Sequence, residues 1–147
     1  MAHRALIDTG AILALLDRSD AWHAPCARAL GNCDLPLATT AAALAEVFHF
    51  LVGDATRVAQ GWRFARSGAL AVLPISDDDL PHLERLMLKY ADRPMDFADA
   101  TLVRLAERER LTTILTIDQD FAVYRIGGRK TFRVLPQPSG QGTPRDP

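Results

Sequence analysis

A three-layer α/β fold, with a central and largely parallel β-sheet flanked by helices, is predicted for this 147-residue chain by three observations. Ala5-Leu6-Ile7 and Thr113-Ile114-Leu115-Thr116-Ile117 carry no charge and little alternation, as strands covered on both faces do. Helix-like segments separate the strand-like ones, and that alternation argues for parallel pairing. Acids then end the apolar runs at Asp8 and Asp118, and in open α/β sheets ligands bind outside the carboxyl ends of the strands.

The first strand is Ala5–Ile7, ending at Asp8, and Thr9-Gly10 turns the chain into a helix over Ala11–Leu16. A second helix over Ala21–Leu30 is stopped near Gly31-Asn32, residues suited to a helix C-terminus. Leu35–Ala38 reads as a short strand, and Thr39 or Thr40 caps a helix running to about Val52. Asp54–Ser67 is helical, with Gly68 at its end, and Ala69–Ile75 is a third strand. Ser76 followed by Asp77, Asp78 and Asp79 starts the next helix, since early acids suit the helix dipole. Its stripe of Leu80, Leu83, Leu86, Met87 and Tyr90 is amphipathic. A loop over Ala91–Phe97 leads to a long helix over Ala98–Arg110, then to a strand over Thr113–Ile117 ending at Asp118. An edge strand is expected over Thr131–Leu135. From Pro136 onward the chain has no apolar residues for a core, so 136–147 is expected to be a disordered tail behind one domain, 1–135.

A net charge of -1 excludes a polycation, so nucleic-acid binding has to use a local basic patch. Cys26 and Cys33 match no zinc spacing and read as two small apolar residues in a helix. The four histidines are scattered, with His3 and His82 expected to be exposed, and none has a motif partner. No segment is long and apolar enough to span a membrane and no signal-peptide pattern is present, so a cytoplasmic location is expected.

Four acids stand out because each ends or interrupts an apolar segment, where an ionised carboxylate is costly unless a positive charge offsets it. Asp8 and Asp118 follow strands; Asp8 could equally cap the helix after it, and Asp120 is an ambiguous neighbour that could cap the turn into Phe121. Glu46 is the only charged residue between Asp34 and Asp54, in a helix apolar on nearly every side; an ion pair with a distant Arg is its alternative. Asp99 shares a helix face with Leu102, Val103 and Ala106, opposite Arg104, Glu107 and Arg108. Asp96 is the more natural cap for that helix. Carboxylates within about 4 to 6 Å raise one another's pKa unless a cation intervenes. An all-oxygen set suits Mg²⁺, or Mn²⁺, rather than zinc. The hydroxyls of Thr9 and Thr116 lie beside the acids and could hold metal-bound water, or be ordinary strand-end residues.

These segments resemble the PIN domain family, and within it the VapC-type ribonuclease toxins of toxin–antitoxin pairs. The matching stretches are Leu6-Ile7-Asp8-Thr9-Gly10-Ala11, Ala45-Glu46-Val47, Pro94-Met95-Asp96-Phe97-Ala98-Asp99-Ala100 and Leu115-Thr116-Ile117-Asp118-Gln119-Asp120-Phe121. The resemblance implies that Asp8, Glu46, Asp99 and Asp118 are the family's acidic quartet, cleaving RNA with a water activated by Mg²⁺. Asp8 and Asp99 are then the principal metal ligands and Asp118 the next, while Glu46 binds a second ion or positions the water. It also implies a homodimer and a small antitoxin protein whose C-terminal segment covers the active site.

Arg57, Arg63 and Arg66 on one helix, and Arg125, Arg129, Lys130 and Arg133 near the C-terminus, are the candidate RNA contacts, although solubilising surface charge explains any one of them. Two other function classes remain in view. A receiver-like phosphoacceptor needs an acid pair at the first strand and an Asp ending the third, where Ser76 follows Ile75. A non-catalytic metal- or nucleic-acid-binding module of PIN-like shape is separated from a nuclease by its activity.

Overall fold

The structure, a computed structural model, describes residues 4–137; the remainder of the expected tail, and His3, lie outside the described residues. The elements are β1 (Arg4–Ile7), α1 (Thr9–Leu16), α2 (His23–Gly31), β2 (Asp34–Thr39), α3 (Ala41–Leu51), α4 (Ala55–Ala65), β3 (Leu70–Val72), α5 (Leu80–Lys89), α6 (Phe97–Glu109), β4 (Thr113–Leu115), β5 (Arg125–Ile126), β6 (Lys130–Thr131) and β7 (Arg133–Leu135). Single 3₁₀ turns occupy Asp77–Asp79 and Gln119–Ala122.

Five strands form one parallel sheet in the order β3-β2-β1-β4-β7. Alternate residues of β1 explain the three layers. Ala5 and Ile7 pack with Ile12, Cys26, Val47 and Leu51, from α1 to α3. Leu6 points the other way, to Leu83 and Leu86 of α5 and to Leu102, Val103 and Leu105 of α6. A strand buried on both faces has no position for a charge until it ends, which is why the first acid after Arg4 is Asp8.

The chain leaves β1 toward β2 and leaves β4 toward β7, so the strand order reverses between β1 and β4. A crevice forms outside the carboxyl ends at such a switch point. Gly10 lets the start of α1 approach the β4 side closely: a Cβ there would stand 2.9 Å from the Ile117 side chain.

Several expected boundaries move. The third strand shortens to Leu70–Val72, since only those residues pair with Leu37, Ala38 and Thr39. The fourth ends at Leu115, although Thr116 N–H still donates to the Leu135 carbonyl. The expected edge strand over Thr131–Leu135 is two strands broken at Phe132, whose side chain turns into the core. Lys130–Thr131 pairs instead with Arg125–Ile126 as an antiparallel hairpin. Gly127 and Gly128, both at positive φ, make its turn. Ser76 forms a capping box with Asp79 but opens a 3₁₀ turn, and α5 begins at Leu80. Cys26 is buried in α2, whereas Cys33 lies beyond that helix's end. His82 is half-buried rather than exposed.

Candidate metal centre

Asp8 is held at both oxygens. Its Oδ1 accepts from the Thr9 N–H at 2.7 Å, capping α1, and its Oδ2 accepts from the Thr116 hydroxyl at 3.0 Å. Capping and a role at the site are therefore compatible, because each uses a different oxygen. The Thr116 Oγ1 in turn accepts from the Asp118 N–H at 2.9 Å. One buried hydroxyl thus ties the end of β1 to the turn after β4. Asp118 Oδ1 caps the 3₁₀ turn by accepting from Asp120 N–H at 2.9 Å, so Asp118, not Asp120, caps the turn into Phe121.

Asp99 enters from the opposite layer. Asp96 caps α6 by accepting from the Asp99 N–H at 2.8 Å, as expected for the cap, and places Asp99 in the first turn with its carboxyl toward the crevice. Asp8, Asp99 and Asp118 each offer a carboxylate oxygen, and the three lie within 4.8 Å of one another. The acids come from three elements, and only the crossing of the sheet and α6 assembles them.

Glu46 is beside this group but outside it. Its Oε2 accepts from the Thr9 hydroxyl at 3.2 Å. Burial, then the charge of Asp96, raise its carboxyl above the ordinary range. The quartet therefore resolves into a tight trio and a Glu46–Asp96 pair. Thr9 links them, since its N–H serves Asp8 and its hydroxyl serves Glu46.

The electrostatics show the strain of this grouping. Burial pushes the Asp8 carboxyl up to about 6; the Thr9 and Thr116 hydrogen bonds oppose the rise, and Asp118 and Glu46 add to it. Burial and the neighbouring charges of Asp96, Asp8 and Asp118 push Asp99 up to about 8. Among the described ion pairs none reaches the trio. Arg93 meets Asp120 at 3.4 Å, on the rim. Arg104 and Arg108 are turned away, holding Asp79 from either side at 2.8 Å each. A hard divalent cation fits this donor set: all ligands are oxygen, anionic and mutually repelling.

The basic candidates separate by position. Arg125 Nη1 donates to the carbonyls of Ala122, Val123 and Tyr124, which occupies it locally. Arg133 pairs in register with Thr113 at the amino end of the sheet, opposite the acids. Arg129 and Lys130 line a cavity with Thr112 on that same side. All three thus lie away from the acids, not around them as expected. Arg57 is exposed in the first turn of α4, where its backbone N–H donates to Asp54 at 3.2 Å. Arg63 and Arg66 are exposed on and just after α4.

Arg93 and Tyr124 escape sequence reading. The Arg93–Asp120 pair joins residues 27 apart with no shared period. Tyr124 is fully buried against Tyr90 and Phe121, and its hydroxyl has no partner among the described residues. Burial, followed by the charge of Asp99, raises that phenol above its usual range.

The PIN domain family model matches residues 5–127. The chain is 31% identical over 137 residues to "Ribonuclease VapC26" of Mycobacterium tuberculosis (strain ATCC 25618 / H37Rv), covering 89% of this chain and 99% of that protein. Its fold is similar to that of Mycobacterium tuberculosis VapC20, described as a Sarcin-Ricin loop cleaving toxin. The TM-score is 0.71 and the identity 19%, over 81% of this chain and 93% of the other. The fold, with its acids at the switch point, and the length of the match lead to one assignment: the chain belongs to the PIN domain family.

Proposed function

We propose that this protein is a metal-dependent endoribonuclease, the toxin of a toxin–antitoxin pair. The observation that carries the reading is the trio of Asp8, Asp99 and Asp118 within 4.8 Å, at the switch point of a PIN fold. Similarity to a ribonuclease over almost its whole length supports RNA as the substrate. Asp8, Asp99 and Asp118 hold Mg²⁺ or Mn²⁺, with Glu46 beside them. The ion supplies the charge that a phosphodiester needs to approach three carboxylates, and it makes bound water more acidic.

The chain's own residues do the rest. Thr116 fixes the relative position of Asp8 and Asp118 through two hydrogen bonds. In this reading Glu46 accepts a proton from the attacking water, a role supported by the Thr9 hydroxyl that donates to its Oε2 beside the trio. Asp96 holds the first turn of α6, and with it Asp99.

A homodimer and an antitoxin belong to this reading, and both need apolar surface. Phe50 and Val52 are exposed at the α3–α4 turn and Trp62 on α4, and Val72, Leu80 and Phe97 near the start of α6. No helix of the described residues is long and apolar enough to cross a membrane. A cytoplasmic location, with access to RNA, completes the proposal. The receiver-like alternative lacks its third-strand acid, since β3 ends at Val72 and Leu73 follows.

The test is RNA cleavage by the purified chain with and without Mg²⁺ or Mn²⁺. Activity should appear with the ion, vanish in chelator and fall more than about a hundredfold in Asp8→Asn and Asp99→Asn, since even outer partners of metal ligands cost 10–100-fold. Equal activity in both variants and in chelator would sink the assignment. Mn²⁺ binding without cleavage of any RNA would leave the non-catalytic module as the reading.

A further inference from the structure

Beside the acids lies an open cleft of about 450 Å³, walled by Trp22, Thr116, Asp118, Gln119, Val134 and Pro136 among others. Two of these residues, Thr116 and Asp118, also belong to the metal centre. The cleft and the metal centre therefore share the stretch of chain after β4.

The wall has a definite chemistry. Its lining includes no Lys or Arg and does include the acid Asp118. A second phosphate is repelled there. Aliphatic groups from Ile117, Val134 and Pro136 favour an uncharged, largely apolar occupant. Trp22, just before α2, keeps 41% of its surface exposed, large for an indole that the core could have absorbed. Gln119 is exposed and presents both a carbonyl and an amide, the pair of groups that reads the edge of a base. A flat aromatic group with a hydrogen-bonding edge, attached to a phosphate, satisfies every one of these conditions.

We propose that this cleft is a nucleobase subsite, in which a base adjoining the cleaved phosphodiester stacks on the Trp22 indole and is read by the Gln119 carboxamide. The inference rests on the nuclease reading and supplies its missing substrate contact. Specificity then comes from one base position beside the cut.

The experiment has two arms. In the first, RNA ends are mapped for wild type, Trp22→Leu, Trp22→Phe and Gln119→Ala, with Mn²⁺ affinity measured by calorimetry on each. Stacking on one aromatic residue is worth roughly a tenfold effect. Trp22→Leu should raise KM about tenfold and flatten the base preference at a single position next to the cut. Trp22→Phe should restore much of both, Gln119→Ala should change the preference at that same position, and Mn²⁺ affinity should not move. An unchanged KM and base preference in Trp22→Leu, or a loss spread evenly over all positions, overturns the proposal while leaving the nuclease reading intact. The second arm needs no cleavage. The chain has two tryptophans, so a Trp62→Phe background isolates Trp22 emission. Titration with a 2′-O-methyl oligoribonucleotide in Mn²⁺ should quench that emission saturably, and an abasic oligomer of the same length should not. If wild type cleaves no RNA, the nuclease reading fails and the placement of the base beside a cut fails with it; the titration then decides base stacking in the cleft alone, which quenching upholds and unaltered emission overturns.

Discussion

Asp99 carries the largest electrostatic burden at the site, and its raised pKa has a consequence for the protein without metal. The folded-state values of Asp8 and Asp99, about 6 and about 8, lie above the 3.8 of an ordinary Asp. Below about pH 4 both groups are protonated folded or unfolded, and no penalty exists. As pH rises toward 8 the unfolded chain releases protons that the native chain retains, so stability falls across that window and levels off above it. Thermal melts of metal-free protein between pH 5 and 8.5 should show a falling Tm, and Asp99→Asn should flatten most of the slope. Near pH 8 that variant should be more stable than wild type by about 1 kcal/mol or more, one pKa unit being about 1.4 kcal/mol. Thr116 is the next residue to probe. Thr116→Val keeps the volume and removes the hydroxyl that serves Asp8 and Asp118. Calorimetry should record Mn²⁺ affinity lower by about tenfold, and denaturant melts a loss of roughly 1–2 kcal/mol.

At the scale of elements, α6 joins the site to the rest of the fold. Its first turn presents Asp99, while its later turns send Arg104 and Arg108 to the buried Asp79 ahead of α5. Burial works against the charge on Asp79. The Ser76 N–H and the two guanidiniums outweigh it and hold the carboxyl down to about 2. This depressed group stabilises the protein above pH 4 and loses that effect as pH falls from 3.8 toward 2. Asp79→Ala should therefore cost about 3 kcal/mol at pH 7, since it leaves two arginines without their shared partner, and much less at pH 2.5. Urea melts at the two pH values make the comparison. Helix starts were legible in the sequence because capping is local: Thr40, one of the two threonines expected, and Asp96 both cap their helices, and the helix expected from Asp54 starts at Ala55 with Asp54 as its cap. The β5–β6 hairpin was missed although Gly127-Gly128 marked its turn, because strands of two residues carry no measurable period.

Across the whole molecule, the proposed metal site couples ion binding to folding. An ion that binds only the native trio stabilises it by mass action, by about 2.7 kcal/mol at a hundredfold excess over Kd. At pH 7.5 the Tm should rise with Mn²⁺ in wild type and stay within about a degree of its metal-free value in Asp8→Asn. A rise of equal size in both would place the ion elsewhere. The sequence by itself determined the fold class, the covered parallel strands and which acids end or interrupt apolar segments, because buried apolar runs exclude charge and so make each exception visible. It also determined that Asp96 caps α6 and leaves Asp99 available. Only the tertiary structure decided which acids meet. The separation of Glu46 from the trio, the Arg93–Asp120 pair, and the retreat of Arg129, Lys130 and Arg133 to the amino end of the sheet all depend on strand order. Capping and periodicity are written in neighbouring residues. The distance between Asp8 and Asp118 is set instead by the pairing of β1 with β4 and by one hydroxyl between them, and no local spacing encodes either.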